Sequence, residues 1–394
     1  MSAESKAIGA RLREAREADP YWSRSDLARR MRAAATPGEL PRVAHVKSLT
    51  DMIKAWEAGK AVPSPRHPYR ALYARVTGLS EAELFETAAP SLWRTDGLND
   101  TFTADDEDRL AYVAKHPLRV DSAVLESLAV VLAAQRRLED AIGSEHVIGT
   151  VRAQLATIEA LVAGSRGELR TDVLDQAAQW AQFAAWLHAA TRRLERADQL
   201  YDRAIVWATE ADNADMIATA WNMKGHIAWL RHAPGAVIGL SQVAARERRA
   251  SPGVRALAAQ QEARGHAIAG DVDAMERRLD DAVELTGRAA EAHDDEPPWI
   301  YFFNPGTFML QRARAYLYVP GRTERAAALL EEGFAAMPAE TRASEWAAYY
   351  LADLGRAYRA LHEDTEAERL ADEVADIAAR TGSDALAMAA VELR

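Results

Sequence analysis

Apolar residues recur at intervals of three and four along almost the whole of this chain, and that periodicity constrains its fold more than any other feature. In a helix such spacing lines one face with hydrocarbon, whereas in a strand it would scatter it over both faces. The periodic segments are rich in Ala, Leu, Glu and Arg, which lose little on entering a helix. Alternation with a period of two, bounded by turn residues, is nearly absent, so an all-α fold is expected. Pro and Gly interrupt the pattern at 20, 36–41, 63–68, 90, 117, 165–167, 234–235, 252–253, 297–298, 305–306, 320–321 and 338, spaced as helix-to-helix connections. A chain of 394 residues is too long for one ordinary core, which leaves several domains or an extended repeat array.

Charge divides the chain. Residues 1–80 hold fifteen Lys and Arg against eight Asp and Glu, a balance of +7; the whole chain carries −11, so the remainder carries −18. Contact with a polyanion is therefore expected at the N-terminal end. There are no cysteines, which excludes disulfides, cysteine zinc sites, iron–sulfur clusters and thiol nucleophiles together. No window approaches the roughly 18 unbroken apolar residues of a membrane span. Residues 1–6 lack the apolar core of a signal peptide. A cytoplasmic location with no membrane partner is the expectation.

In the basic part, helices are expected over 5–18, from Ser25, over 47–60, over 67–77 and over 81–85, with Ser23 or Ser25 capping the second. Three stretches stand out: Ile8-Gly9-x-x-Leu12-Arg13-x-x-Arg16; Asp26-Leu27-Ala28; and Ile53-x-x-Trp56-Glu57-x-Gly59-Lys60 followed by Pro63-Ser64. Together they resemble the lambda-repressor-like (XRE-type) helix-turn-helix, over nearly all of residues 5–86. The loop before the third helix, about 13 residues, is longer than the family's tight turn. The resemblance implies a head that binds double-stranded operator DNA as a homodimer. A helix fits the major groove and offers its N-terminal residues to base edges. His45, Lys47, Ser48 and Thr50, with Asp51 and Lys54 one turn on, hold those positions. Arg24, Arg29, Lys60 and Arg66 are candidates for phosphate contact, which positions without specifying.

Residues 1–88 are taken as the head, 89–120 as a linker and first body helix, and 121–394 as the body. In the body one pattern returns. Its clearest copy is Leu351, Leu354, Gly355, Tyr358, His362, Ala367, Ala371 and Val374. Weaker copies begin near Ala181, Trp221, Ala259 and Leu310, at spacings of about 38 to 51 residues. Their small and bulky positions are similar to tetratricopeptide repeats, and 121–165 reads as a further helix pair without the signature. The resemblance implies an α-solenoid whose first helices line a concave groove. Groove positions then fall at Gln182, Trp186, Asn222, His226, Trp229, Arg264, Gln311, Tyr318 and Arg356. Amides, aromatics and arginines of this kind hold a peptide backbone or a polar small molecule. Trp186 and Trp229 serve equally well as core between repeats. Residues 299–303, Trp-Ile-Tyr-Phe-Phe, are either a plug on the solenoid or the wall of a pocket.

Catalytic signatures are missing: there is no phosphate-binding GxxxxGK[ST] loop, no GxGxxG, no GxSxG and no HExxH, and the ten histidines are scattered. Neither an enzyme nor a cofactor or metal site is expected. The combination resembles actinobacterial-type regulators with an XRE head and a tetratricopeptide body, and the peptide-sensing (RRNPP-type) group. It implies a transcriptional regulator whose body dimerises and binds a signalling peptide or small-molecule ligand. The alternative is a protein-interaction adaptor with a vestigial head.

Overall fold

Helices begin where a side chain can take up a free backbone N–H and end where the chain turns through a left-handed residue; both devices recur along this protein. The computed structural model describes residues 3–18, 21–64, 67–79, 81–85, 110, 121–291 and 295–394. Every regular element among them is helical, so the chain is all-α. It divides into two compact units, Met1–Arg94 and Thr95–Arg394. The expected boundary at 88, the linker and helix over 89–120 (Leu110 apart), Arg66 and His293 lie outside the described residues.

The first unit holds α1 (Ala3–Glu17), α2 (Arg24–Ala33), α3 (Val46–Glu57), α4 (Tyr69–Thr77) and α5 (Glu81–Phe85). Ser23 caps α2: its hydroxyl accepts from the Asp26 N–H at 3.1 Å, and the Asp26 carboxylate accepts from the Ser23 N–H at 3.2 Å. Ile8, Leu12, Leu27, Met31, Ile53 and Tyr73 meet in its core. The end of α3 is fixed to α1 by a buried ion pair, Arg16 Nε to Glu57 Oε1 at 2.6 Å. Beside it the backbones touch: a Cβ on Gly9 would lie 2.6 Å from the carbonyl oxygen of Trp56. Gly59, at φ +66°, then turns the chain out of α3.

The second unit is a series of helical hairpins, each packed on the next. They are α6 (Ser122–Ile142) with α7 (Ser144–Gly164), α8 (Arg170–Ala190) with α9 (Leu194–Glu210), and α10 (Ala214–Leu230) with α11 (Pro234–Arg246). There follow α12 (Pro252–Ala269) with α13 (Val272–Glu291), and α14 (Pro305–Tyr316) with α15 (Thr323–Ala335). After the short α16 (Ala339–Arg342) come α17 (Glu345–Ala360) with α18 (Asp364–Thr381), and α19 (Asp384–Glu392) ends the series. Each of these hairpins turns through one residue of positive φ: Gly143, Arg192, His232, Gly270, Gly321 and His362. The repeat is thus carried by a backbone conformation that the side chains only partly advertise. Among the described residues, α7 alone is long and apolar enough to cross a membrane. In the fold its stripe of Val147, Val151, Leu155 and Ile158 is buried.

The two ends of this series meet. The Ser144 N–H donates to Glu345 Oε2 at 2.7 Å across 201 residues of sequence. Trp346 Nε1 donates to Asp140 Oδ1 at 3.0 Å, and Arg380 Nη1 to the Ala141 carbonyl at 2.8 Å. The first hairpin therefore packs on the last, and the unit closes on itself. Gly143 sits in this seam at φ +91°, where a Cβ would lie 2.6 Å from Thr381 Cβ and 2.8 Å from its carbonyl oxygen. Gly143→Ala is expected to destabilise the protein by about 2 kcal/mol, from crowding and left-handed strain together. Gly287→Ala, within α13 and with open space at its Cβ, should instead stabilise it by about 0.5–1 kcal/mol. Urea denaturation of the two variants checks both signs; equal midpoints would mean that the seam tolerates a side chain.

Candidate functional site

Because the series closes, its first helices α6, α8, α10, α12, α14 and α17 face one interior cavity of about 700 Å³. That is within the size range of small-molecule sites. The second helices contribute little besides Thr323 at the start of α15. Residues spaced by three and four present themselves inward: Gln182, Phe183 and Trp186 from α8; Asn222, His226 and Trp229 from α10; Leu257, Gln261 and Arg264 from α12. Trp346, Tyr350 and Asp353 come from α17.

A belt of contacts runs round this wall. Trp186 Nε1 donates to Glu139 Oε1 at 3.2 Å. The Trp186 and His226 ring centroids are 6.1 Å apart, and those of His226 and Trp229 are 5.2 Å apart. The Arg314 guanidinium lies 5.3 Å from the Trp229 ring and 3.8 Å from the Tyr350 ring. Tyr350 packs on Trp346 at 6.5 Å, and Trp346 returns through its hydrogen bond to Asp140, the neighbour of Glu139. Rings and guanidinium planes stacked in this way hold one another's rotamers.

The charges on the wall are unevenly matched. Arg314 is held by Asp353 at 2.6 Å, and Asp353 also takes Arg356 at 2.7 Å. Arg264, 9% exposed, makes neither ion pair nor hydrogen bond among the described residues; it stacks on Trp229 at 4.4 Å, and its Nε has no acceptor. Burial, then the nearby Arg314, pulls its guanidinium down to about 10. Arg136, 5% exposed, lies 5.8 Å from the Phe183 ring with its Nη2 unsatisfied, and burial likewise lowers it to about 10. Burial, with Arg264, Arg314 and Arg192 nearby, takes His226 well below the usual histidine range, so its ring is neutral. Asn222 Oδ1 and Gln261 Nε2 are buried without partners, one acceptor and one donor. Buried polar groups left in this state each cost stability unless something else satisfies them.

Gln182, Trp186, Asn222, His226, Trp229, Arg264, Gln311, Tyr318 and Arg356 all line this one cavity. They are not equally free. Tyr318 accepts from Trp229 Nε1 at 2.9 Å, and Arg356, expected to grip a terminal carboxylate, is instead exposed and paired with Asp353. The segment 299–303 is both plug and wall. Trp299 and Ile300 are buried in the core beside Met216 and Val254, and Trp299 donates to Thr219 Oγ1 at 3.0 Å. Its residues 299–302 also face the cavity, where Tyr301 donates to Asp140 Oδ2 at 2.6 Å. Sequence reasoning missed Arg136, Glu139, Asp140, Arg314, Trp346 and Tyr350. Arg314 stands three residues after Gln311 on the same stripe, a signal that was there to use. The first three lie on the hairpin without the repeat signature.

In the first unit the outward face of α3 carries His45, Lys47, Ser48 and Lys54, with Lys60 just beyond its end, all exposed. None makes a hydrogen bond or ion pair among the described residues. Two expected DNA-facing residues need correcting. Arg24 donates from Nε to Glu57 Oε2 at 2.7 Å, so it is engaged in the buried ion pair that locks α3 to α1. Thr50 donates its hydroxyl to the Val46 carbonyl of its own helix at 2.7 Å and lies partly buried. Arg29 is exposed but paired with Asp26 at 2.6 Å.

No family model matches the sequence, and no curated protein matches it. The cavity nevertheless makes a titration prediction of its own. Burial first, then the charges of Asp140 and Glu345, raises Glu139 to about 8, against the hydrogen bonds it accepts from Ser144 and Trp186. The acid is thus protonated in the fold near neutrality and ionised in the unfolded chain. Stability from this group is complete below the ordinary glutamate value and is lost as pH rises through that value towards 8. Relative to Glu139→Gln, the wild type is expected to lose stability steadily between pH 5 and 8, a window set by that raised value. A difference between the two urea midpoints that does not change with pH would show that Glu139 is ionised in the fold.

Proposed function

We propose that this chain is a sequence-specific DNA-binding transcriptional regulator. Its first unit acts as a helix-turn-helix of the lambda-repressor type that reads duplex DNA with α3. Its second acts as a tetratricopeptide-like sensor whose cavity takes a peptide or small molecule. The reading assigns it no catalytic step and no cofactor, and it places the chain in the cytoplasm. The observation that carries the proposal is the division of α3 into two faces. Leu49, Ile53 and Trp56 are buried in the core of the unit, while Lys47, Ser48 and Lys54 stand exposed and unengaged. A rigid helix with one locked face and one free basic face is what groove binding needs.

One head covers a half-site, so operator binding calls for a homodimer with its heads about 34–36 Å apart. Coupling to the body requires a ligand with unequal affinity for two conformations of the cavity. The closed seam defines one of these conformations, and its opening would supply the other.

The test is duplex-DNA binding measured by fluorescence anisotropy over a range of salt. Lys47→Ala with Lys54→Ala should weaken binding to every sequence and flatten the salt slope by about 0.9 for each phosphate no longer neutralised. Arg24→Ala should instead lower the melting temperature, since it uncovers Glu57. A double variant that keeps the wild-type slope would remove α3 from the interface, and a wild type with no salt-dependent binding would leave the adaptor reading in its place.

A further inference from the structure

The cavity has a chemical bias that a general peptide-or-metabolite sensor does not require. Three guanidinium groups, Arg264, Arg314 and Arg356, gather beside Asp353, and that carboxylate is already taken by two of them. Arg264 and Arg314 lie over the same indole, 4.4 and 5.3 Å from the ring of Trp229. Two like charges on one ring repel each other, and at 9% exposure water does little to screen Arg264. A buried cation with no anion is among the costlier arrangements a fold can hold, and here its Nε points at no acceptor.

Elsewhere the protein treats such a group differently. Arg16, buried to a similar degree in the first unit, has its own carboxylate in Glu57 at 2.6 Å. The missing partner of Arg264 is therefore a feature of this wall. Beside it stand flat rings, Trp186, Trp229 and Trp346, and two unsatisfied amide atoms, Asn222 Oδ1 and Gln261 Nε2. The first accepts a hydrogen bond and the second donates one.

From this, and resting on the sensor reading above, we propose that the cavity binds a small carboxylate carried on a flat, ring-bearing apolar skeleton. Arg264 forms the ion pair that the fold leaves open, and the rings stack on the skeleton. The guanidinium fork matches a carboxylate in two parallel hydrogen bonds, a geometry that ammonium does not reproduce. A volume of about 700 Å³ holds such a molecule whole. A long peptide would have to pass through the closed seam or past residues 299–302.

The experiment compares two probes of one shape, 2-naphthoate and its neutral isostere 2-naphthamide, by isothermal titration calorimetry on the full chain. The wild type is expected to bind one naphthoate per chain at least tenfold more tightly than the amide. Arg264→Gln should remove that preference while leaving amide affinity within about twofold, and Arg264→Lys should restore only part of it. Circular dichroism of each variant checks that the helices are intact. The wild-type comparison alone decides the matter if a variant fails to fold. Equal binding of the two probes, or a preference that survives in Arg264→Gln, overturns the carboxylate proposal and leaves a sensor for neutral ligands standing. No binding of either probe, beside intact DNA binding, overturns the proposal and the sensor reading of the cavity with it.

Discussion

The chemistry of the larger unit depends on the contact between its two ends. A stack of helical hairpins ordinarily finishes in two exposed faces, each needing a cap. Here the turn between α6 and α7 meets α17 and α18, and each face serves as the other's cap. The polar groups taken out of water at this seam are matched: the Ser144 N–H by Glu345, the Ala141 carbonyl by Arg380, and the Asp140 carboxylate by Trp346 and Tyr301. Closure also sets the first helices round a common interior. Without it Trp346 and Asp140 part, the belt of rings has two loose ends, and the cavity becomes an open groove.

The two units use buried charge in opposite ways. In the first, Glu57 takes both Arg16 and Arg24, and the resulting cluster fixes the exit of α3 against α1. Removing one partner from such a cluster strands the others, so these residues belong to the structure. In the second, the wall of the cavity keeps arginines whose carboxylates are either shared or missing. The same electrostatics that makes a complete pair rigid makes an incomplete one receptive.

The sequence showed the class of the fold because helical periodicity and Pro and Gly breaks are local signals. The turns of the hairpins could be placed within a few residues, as at Gly270 and Gly321. Groove residues such as Asn222 and Trp229 were found because a repeat template carries a helix face with it. What escaped was non-local. Arg24 looks like any surface arginine until Glu57, 33 residues away, folds against it. Thr50 reads as an exposed hydroxyl until its own helix claims it. Glu139 sits in a charge-rich stretch, Arg-Arg-Leu-Glu-Asp, that resembles a solvated face. Its burial follows from a partner helix that arrives about 200 residues later, across the seam that Ser144 and Glu345 bridge, and no spacing within α6 announces it.

Closure has a consequence for how the larger unit comes apart. An open array frays: its terminal hairpin detaches when one interface gives way, and melting spreads inward from there. A closed array has no terminal hairpin. Releasing any member breaks the packing on both of its sides at once, so partly melted species are disfavoured throughout and the transition sharpens towards all-or-none. A molecule seated at the centre then reinforces every interface together, and what it stabilises is the cooperativity of the ring itself.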